Sequence, residues 1–182
     1  MKDYSDKELL ILFRNPDHKN YAFSEIVRKY QERLYWHIRK MVVIHEDADD
    51  LLQNTFLKAW QALENFREES QLYTWLYRIA TNEVLSFLKE KKRKYFLPLV
   101  DIEKELISGL EGNTYFDGDE LELKLQKAIL KLPDKQRIVF NMRYYDEMKY
   151  EEMAKILDTS VGALKASYHH AAKKIEYILK NN

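Results

Sequence analysis

The sequence contains no cysteine, which excludes disulfides and thiolate metal sites. Its 182 residues include only 4 glycines and 3 prolines. That leaves little material for hairpins or a glycine-rich phosphate loop, and the scarcity favours helices. No apolar run reaches the length needed to cross a bilayer. Residues 1–13 carry Asp3, Asp6 and Glu8 where a secretory signal would be basic and then apolar, so no signal peptide is expected. A cytoplasmic protein without membrane insertion is the simplest reading. His37, His45 and the pair His169-His170 have no metal-ligand spacing. No nucleophile elbow is present either. Catalytic residues, metals and cofactors are therefore not expected.

Hydrophobic residues make up 46% and charged residues 33% of the chain, enough apolar material to fold with a well-charged surface. The formal net charge is zero, which on average opposes binding to a polyanion. The charges are segregated, however. Lys89-Glu90-Lys91-Lys92-Arg93-Lys94 is a basic run, and residues 101–122 are rich in acid. A nucleic-acid surface needs a basic patch, not a basic average.

Helical periodicity organises most of the chain. Ser5 followed by Glu8 reads as a capping box opening a first helix, and Asn15-Pro16-Asp17 breaks it. A second helix is expected from about Ala22 to Val43, with Phe23, Ile26, Val27, Tyr30, Leu34 and Ile38 at helical spacing. A third carries Ala48, Leu51, Leu52, Thr55, Phe56, Ala59, Trp60 and Leu63 three and four apart, with Asp47, Asp49 and Asp50 expected in its first turn. A loop over 65–70 precedes a fourth helix, whose apolar side holds Leu72, Trp75, Leu76, Ile79, Ala80, Val84, Phe87 and Leu88. Residues 96–120 lose the period and read as a linker. Helical spacing resumes at Leu121, Leu125, Ile129 and Leu132. Pro133 suits the first turn of the next helix. Residues 150–157 form a short helix, Asp158-Thr159-Ser160 a turn, and 161–179 a final helix with Ser160 as its N-cap. The fold class is all-α: two small helical domains, 1–95 and 121–182, joined by a flexible linker at 96–120.

Two constellations carry possible function. The last two helices have helix-turn-helix spacing. Met153, Ala154, Ile156, Leu157, Val161, Leu164 and Tyr168 would form its seam, leaving Lys165, Ala166, His169, His170 and Lys173 to solvent. An ordinary helical hairpin fits the periodicity equally well. The second constellation interleaves aromatics and bases: Phe66, Tyr73, Trp75, Tyr77, Arg78, Phe87, Lys89 and Lys91. Melted strands are bound by such stacking platforms beside positive charge, though most of these rings also suit a core. Tyr73, Tyr77, Arg78 and Asn82 fall mainly opposite the apolar stripe, which is harder to explain by packing.

At this point the residues resemble a known family. The stretch Asp47-Ala48-Asp49-Asp50-Leu51-Leu52-Gln53-Asn54-Thr55-Phe56-Leu57-Lys58-Ala59-Trp60 resembles the polymerase-binding helix of bacterial sigma factors. Phe66-Arg67 and Tyr73-Thr74-Trp75-Leu76-Tyr77-Arg78-Ile79-Ala80-Thr81-Asn82 resemble their melting and minus-ten segment. Leu132-Pro133-Asp134-Lys135-Gln136-Arg137, Tyr150-Glu151-Glu152-Met153-Ala154 and Ser160-Val161-Gly162-Ala163-Leu164-Lys165 resemble their minus-thirty-five helix-turn-helix. The order and the two-domain content point to the extracytoplasmic-function subfamily.

The resemblance implies a protein that directs RNA polymerase core to promoters, helps melt them and performs no chemistry. Asp49, Asp50, Gln53 and Asn54 would dock on polymerase. Phe66, Tyr73, Trp75, Arg78, Asn82 and Lys89 would hold the melted non-template strand at the minus-ten element. Ser160, Lys165, Ala166, His169, His170 and Lys173 would face duplex promoter DNA at the minus-thirty-five element. Phe66, in a polar loop without an obvious apolar partner, would shape the pocket for a flipped base, or else plug the loop. The resemblance leaves room for an anti-sigma factor as a further partner. Ala166, Ser167, His170 and Ala172 stand where the family often has Arg or Ser, so fewer bidentate contacts to guanine are available. A stand-alone helix-turn-helix regulator and a structural helical interaction protein remain as alternatives.

Overall fold

The computed structural model describes residues 4–94 and 120–181, and all regular structure among them is helical. The elements are α1 (Asp6–Phe13), α2 (Lys19–Val42), α3 (His45–Ala62), a 3-10 turn (Leu63–Asn65), α4 (Leu72–Lys94), α5 (Glu120–Leu130), α6 (Asp134–Tyr144), α7 (Tyr150–Leu157) and α8 (Val161–Lys180). The expected linker at 96–120 lies outside the described residues except Glu120, which belongs to the first turn of α5.

Local signals place the helix ends. Ser5 Oγ accepts from the Glu8 backbone N–H at 3.3 Å, and the Glu8 carboxylate accepts from the Ser5 backbone N–H at 2.8 Å, closing the capping box. Ser160 Oγ accepts from Ala163 N–H at 3.2 Å and starts α8. α2 begins at Lys19, before the expected Ala22. α3 begins at His45, so Glu46 and Asp47 occupy its first turn while Asp49 and Asp50 lie further in. Pro133 is the residue before α6 and not its first helical position.

In the N-terminal half, α2, α3 and α4 bury Leu34, Ile38, Ala48, Leu51, Ala59, Leu76, Ala80 and Val84 against one another, and α1 adds Leu9, Leu10 and Phe13. Burying each large aliphatic side chain contributes roughly 1.5–3 kcal/mol. Trp60 is the aromatic corner of this half, meeting Phe13 and Phe23 edge-on at 5.4 and 5.0 Å. The C-terminal half has a smaller core of Ala128, Ile129, Leu132, Phe140, Ala171 and Ile175. The halves are not separate in packing. Ile138, Val139, Met142, Met148, Met153, Ile156 and Leu164 join the N-terminal core cluster; α7 packs on α4 and α6 on α2.

Candidate polymerase-docking and nucleic-acid surfaces

The inner face of α3 is apolar, and Thr55 reaches it only because its hydroxyl donates back to the Leu51 carbonyl at 2.7 Å. The outer face then presents Asp50, Gln53 and Asn54 to solvent, with Asp49 half-buried and paired to His45 at 3.2 Å. Leu57 shares that outer face and is 60% exposed. Sequence reading missed it as a surface residue, yet the spacing 50, 53, 54, 57 places it on the same stripe. An apolar side chain amid four polar ones suits a docking surface.

On α4, Trp75, Arg78, Asn82 and Lys89 recur three, four and seven residues apart and so share one stripe. Arg78, Asn82 and Lys89 are exposed and Trp75 is half-buried. Phe66, in the loop leading to α4, is buried, its ring 5.0 Å from that of Trp75. The expectation that this ring has no apolar partner is therefore corrected: Trp75 is its partner. The pair lines a cavity of about 570 Å³ together with Asn65, Arg67 and Arg78, and also with Lys155 and Asp158 from α7 and the turn after it.

Tyr73 and Tyr77 do not belong to this stripe. Their rings pack 4.4 Å apart, tilted by 44°, and Tyr77 is buried, with its hydroxyl donating to the Arg33 carbonyl at 3.3 Å. The reading of Tyr77 as an outward residue is overturned, because the C-terminal half and α2 cover the side of α4 that its own apolar stripe leaves free. Tyr73 is half-buried, with the Arg33 guanidinium 4.5 Å over its ring. Burial raises both phenols above their ordinary range.

Tyr77 packs on His37 at 4.7 Å. His37 is fully buried, and its Nε2 lies 3.0 Å from the Thr81 hydroxyl. Its Nδ1 lies 3.4 Å from Asp146, which also takes Lys40 Nζ at 2.7 Å. Burial alone would raise the Asp146 carboxyl; the approach of His37 and Lys40 outweighs it and holds the group below its usual range.

In the helix-turn-helix, Met153, Ile156 and Leu164 are buried and Ala154, Leu157, Val161 and Tyr168 partly so, as the seam requires. The turn closes on Asp158 in the left-handed region, φ 49°, which Asp tolerates better than most side chains. α8 then buries Leu164, Ala171 and Ile175 and leaves Lys165, Ala166, His169, His170 and Lys173 exposed, with Ser160 exposed at its start. Lys165 Nζ also lies 5.8 Å over the ring of Tyr150 at the start of α7. Among the described residues no cluster of three metal-ligating side chains occurs, and no helix is long and apolar enough to cross a membrane.

The family model for sigma-70 region 2 matches residues 26–94, which hold α3 and α4. The model for sigma-70, region 4 matches residues 122–175, which hold the helix-turn-helix. The chain is 33% identical over 174 residues to the ECF RNA polymerase sigma factor SigW of Bacillus subtilis, covering 88% of this chain and 90% of the relative. It is 31% identical to the ECF RNA polymerase sigma-E factor of Haemophilus influenzae, covering 94% of each. Among solved structures, its fold is similar to CnrH bound to the cytosolic domain of CnrY, with TM-score 0.68, 23% identity and coverage of 97% and 98%. It is also similar to the sigma factor RpoE of Bartonella quintana, solved with the anti-sigma factor NepR, with TM-score 0.67, 22% identity and coverage of 87% and 96%.

Proposed function

The chain belongs to the extracytoplasmic-function sigma factors, and from that membership we propose how its surfaces share the work. As a sigma factor it directs RNA polymerase to promoters and performs no chemistry of its own. In our reading, residues 1–95 dock on the polymerase core and hold the minus-ten element, and residues 121–182 hold the minus-thirty-five element. The cytoplasm is its compartment, and an anti-sigma protein is a natural partner.

Polymerase meets the outer stripe of α3 through Asp49, Asp50, Gln53, Asn54 and Leu57. Upstream duplex lies against α8. There Ser160 and the free N–H groups of the helix start face a phosphate, and Lys165, Ala166, His169, His170 and Lys173 face the major groove. When the promoter opens, the lost stacking of an extruded base, a few kcal/mol, is offset by capture in a pocket. The cavity of Phe66 and Trp75 is where a base is held, with Arg78, Asn82 and Lys89 tracking the strand. Tyr73 sits away from that stripe and contributes from its edge. Neither DNA surface needs high affinity alone, because the polymerase tethers both and raises their effective concentration. A chain with zero net charge can then work.

The observation that carries this reading is the single stripe of Trp75, Arg78, Asn82 and Lys89 ending at the Phe66 cavity. A stand-alone regulator would have no use for it. The test is reconstitution with core polymerase and mapping of transcription starts. Asp50→Lys with Gln53→Ala should weaken core binding with unchanged circular dichroism. Unchanged core affinity would count against the α3 assignment.

A further inference from the structure

One aromatic ring of the helix-turn-helix gathers cations from two other helices. Tyr150 opens α7, half-buried and packed against the larger core cluster. The Arg143 guanidinium of α6 lies 5.4 Å over its ring, and the Lys165 ammonium of α8 lies 5.8 Å over the same ring. Both distances fall within the reach of a cation–π attraction. Arg143 is fixed a second time, because its guanidinium donates to the Met148 carbonyl at 3.3 Å. Lys165 has the ring alone.

Among the described residues neither Arg143 nor Lys165 forms an ion pair with a carboxylate. Lys149, the neighbour of Tyr150, is exposed and forms none either. Glu152 is close in sequence, but its carboxylate accepts from the Lys149 backbone N–H at 3.3 Å. Like charges drawn to one ring repel each other, and no acid of the described chain relieves them. A phosphate would, through charge-assisted hydrogen bonds. The position fits. In a helix-turn-helix the first helix crosses the DNA backbone while the second enters the groove. Tyr150 begins the first helix, so a Lys165 side chain that leans to its ring leans towards the backbone.

We propose that Tyr150 is a positioning residue for upstream DNA, its ring holding Lys165, beside Arg143, against a phosphate of the promoter duplex. Lys165 then contacts the backbone at the edge of the groove and not a base, and Arg143 supplies a second charge to the same strand. His169, His170 and Lys173 are left to face base edges. A lysine side chain is long and flexible, and a fixed ring that gathers its ammonium in advance lowers the ordering cost of binding. The proposal rests on the placing of the α8 face on duplex DNA.

The experiment measures binding of promoter duplex by the full chain assembled with core polymerase, over a series of salt concentrations and of substitutions in the upstream element. Tyr150→Leu should weaken binding roughly two- to fivefold, by the same factor at every upstream sequence, while Tyr150→Phe keeps the ring and should stay within about twofold of wild type. Lys165→Ala and Arg143→Gln should each lower the slope of log affinity against log salt by about one. Adding Tyr150→Leu to Lys165→Ala should cost little more, because the residue acts through Lys165. Tyr150→Met takes the place of the leucine variant if circular dichroism shows the latter unfolded. A loss from Tyr150→Leu that is equal with and without Lys165 overturns the positioning role, as does an equal loss in Tyr150→Phe. A Lys165→Ala loss confined to one position of the upstream element overturns the phosphate contact, and an unchanged slope in Arg143→Gln overturns the second charge. Unchanged affinity in Lys165→Ala removes the α8 surface and the proposal with it. Impaired Lys165→Ala beside a folded, unimpaired Tyr150→Leu overturns the proposal alone.

Discussion

On α8 the predicted contact residues Lys165, Ala166, His169, His170 and Lys173 are exposed, and the buried residues Leu164, Ala171 and Ile175 follow one stripe. On α4 buried residues occupy more of the circumference, adding Thr74, Tyr77 and Thr81 to the apolar stripe. α8 packs mainly on α5, α6 and α7, while α4 packs on α2 and α3 and also on α7. Apolar periodicity therefore reads exposure correctly for α8. For α4 it reads only the first of two packing faces, because the second is polar. A face of Thr and Tyr can be buried if each group finds a partner, and here Thr81 finds His37 and Tyr77 finds the Arg33 carbonyl.

The contrast between the two helices is most exposed to failure at the seam of the helix-turn-helix. Leu164→Ala should cost about 2–5 kcal/mol by denaturant titration, while His170→Ala on the bare face should stay within about 0.5 kcal/mol. Similar costs for both would mean that α8 is not bare on that side.

Lys165→Ala tests the same face by function. A base contact predicts a loss of about 1–3 kcal/mol in promoter use and indifference at one position of the upstream element. A phosphate contact predicts a uniform loss and a shallower salt dependence. No effect on either would remove this face from the groove.

Ser160→Ala should cost about 1 kcal/mol, since one side-chain oxygen caps α8. The measurement is thermal unfolding, with Ser160→Asn as the conservative control that keeps a capping group.

The covered face of α4 has a pH signature. The Asp146 carboxyl is held below its ordinary range by His37 and Lys40 despite burial. A lowered folded value means that its contribution is fully present above the unfolded value of about 3.9 and is lost as pH falls through the folded value. Stability measured by denaturant titration should decline below about pH 4, as this carboxyl takes up its proton. An Asp146→Asn variant that keeps the same decline would show that a different group is responsible.

How much is legible in the sequence follows from which side chains report on which neighbour. Ser5 with Glu8 and Ser160 after Asp158 define helix starts within a few residues, and both caps form where expected. The seam of α7 and α8 is legible because its apolar residues serve only that seam. Phe66 falls in the expected loop, but its partner Trp75 lies nine residues on and across a turn, beyond the reach of periodicity. Tyr77 and His37 escape sequence reading because their partners are distant in the chain: Tyr77 donates to the Arg33 carbonyl, 44 residues away, and His37 meets Asp146, 109 residues further along. Charge pairing at that separation leaves no local signal. Leu57 is within reach of the spacing that finds Asp50, Gln53 and Asn54, and escapes notice because it is apolar.

The division of labour rests on α4 and α8 serving different steps, melting and duplex recognition. Permanganate reactivity of promoter thymines distinguishes the steps, measured with holoenzymes carrying Trp75→Ala, Arg78→Ala or Lys165→Ala. The two α4 variants should bind the promoter duplex but lose reactivity around the minus-ten element. The α8 variant should lose duplex binding and keep normal melting on those complexes that form. Normal reactivity with both α4 variants, or a melting defect confined to Lys165→Ala, would contradict this division.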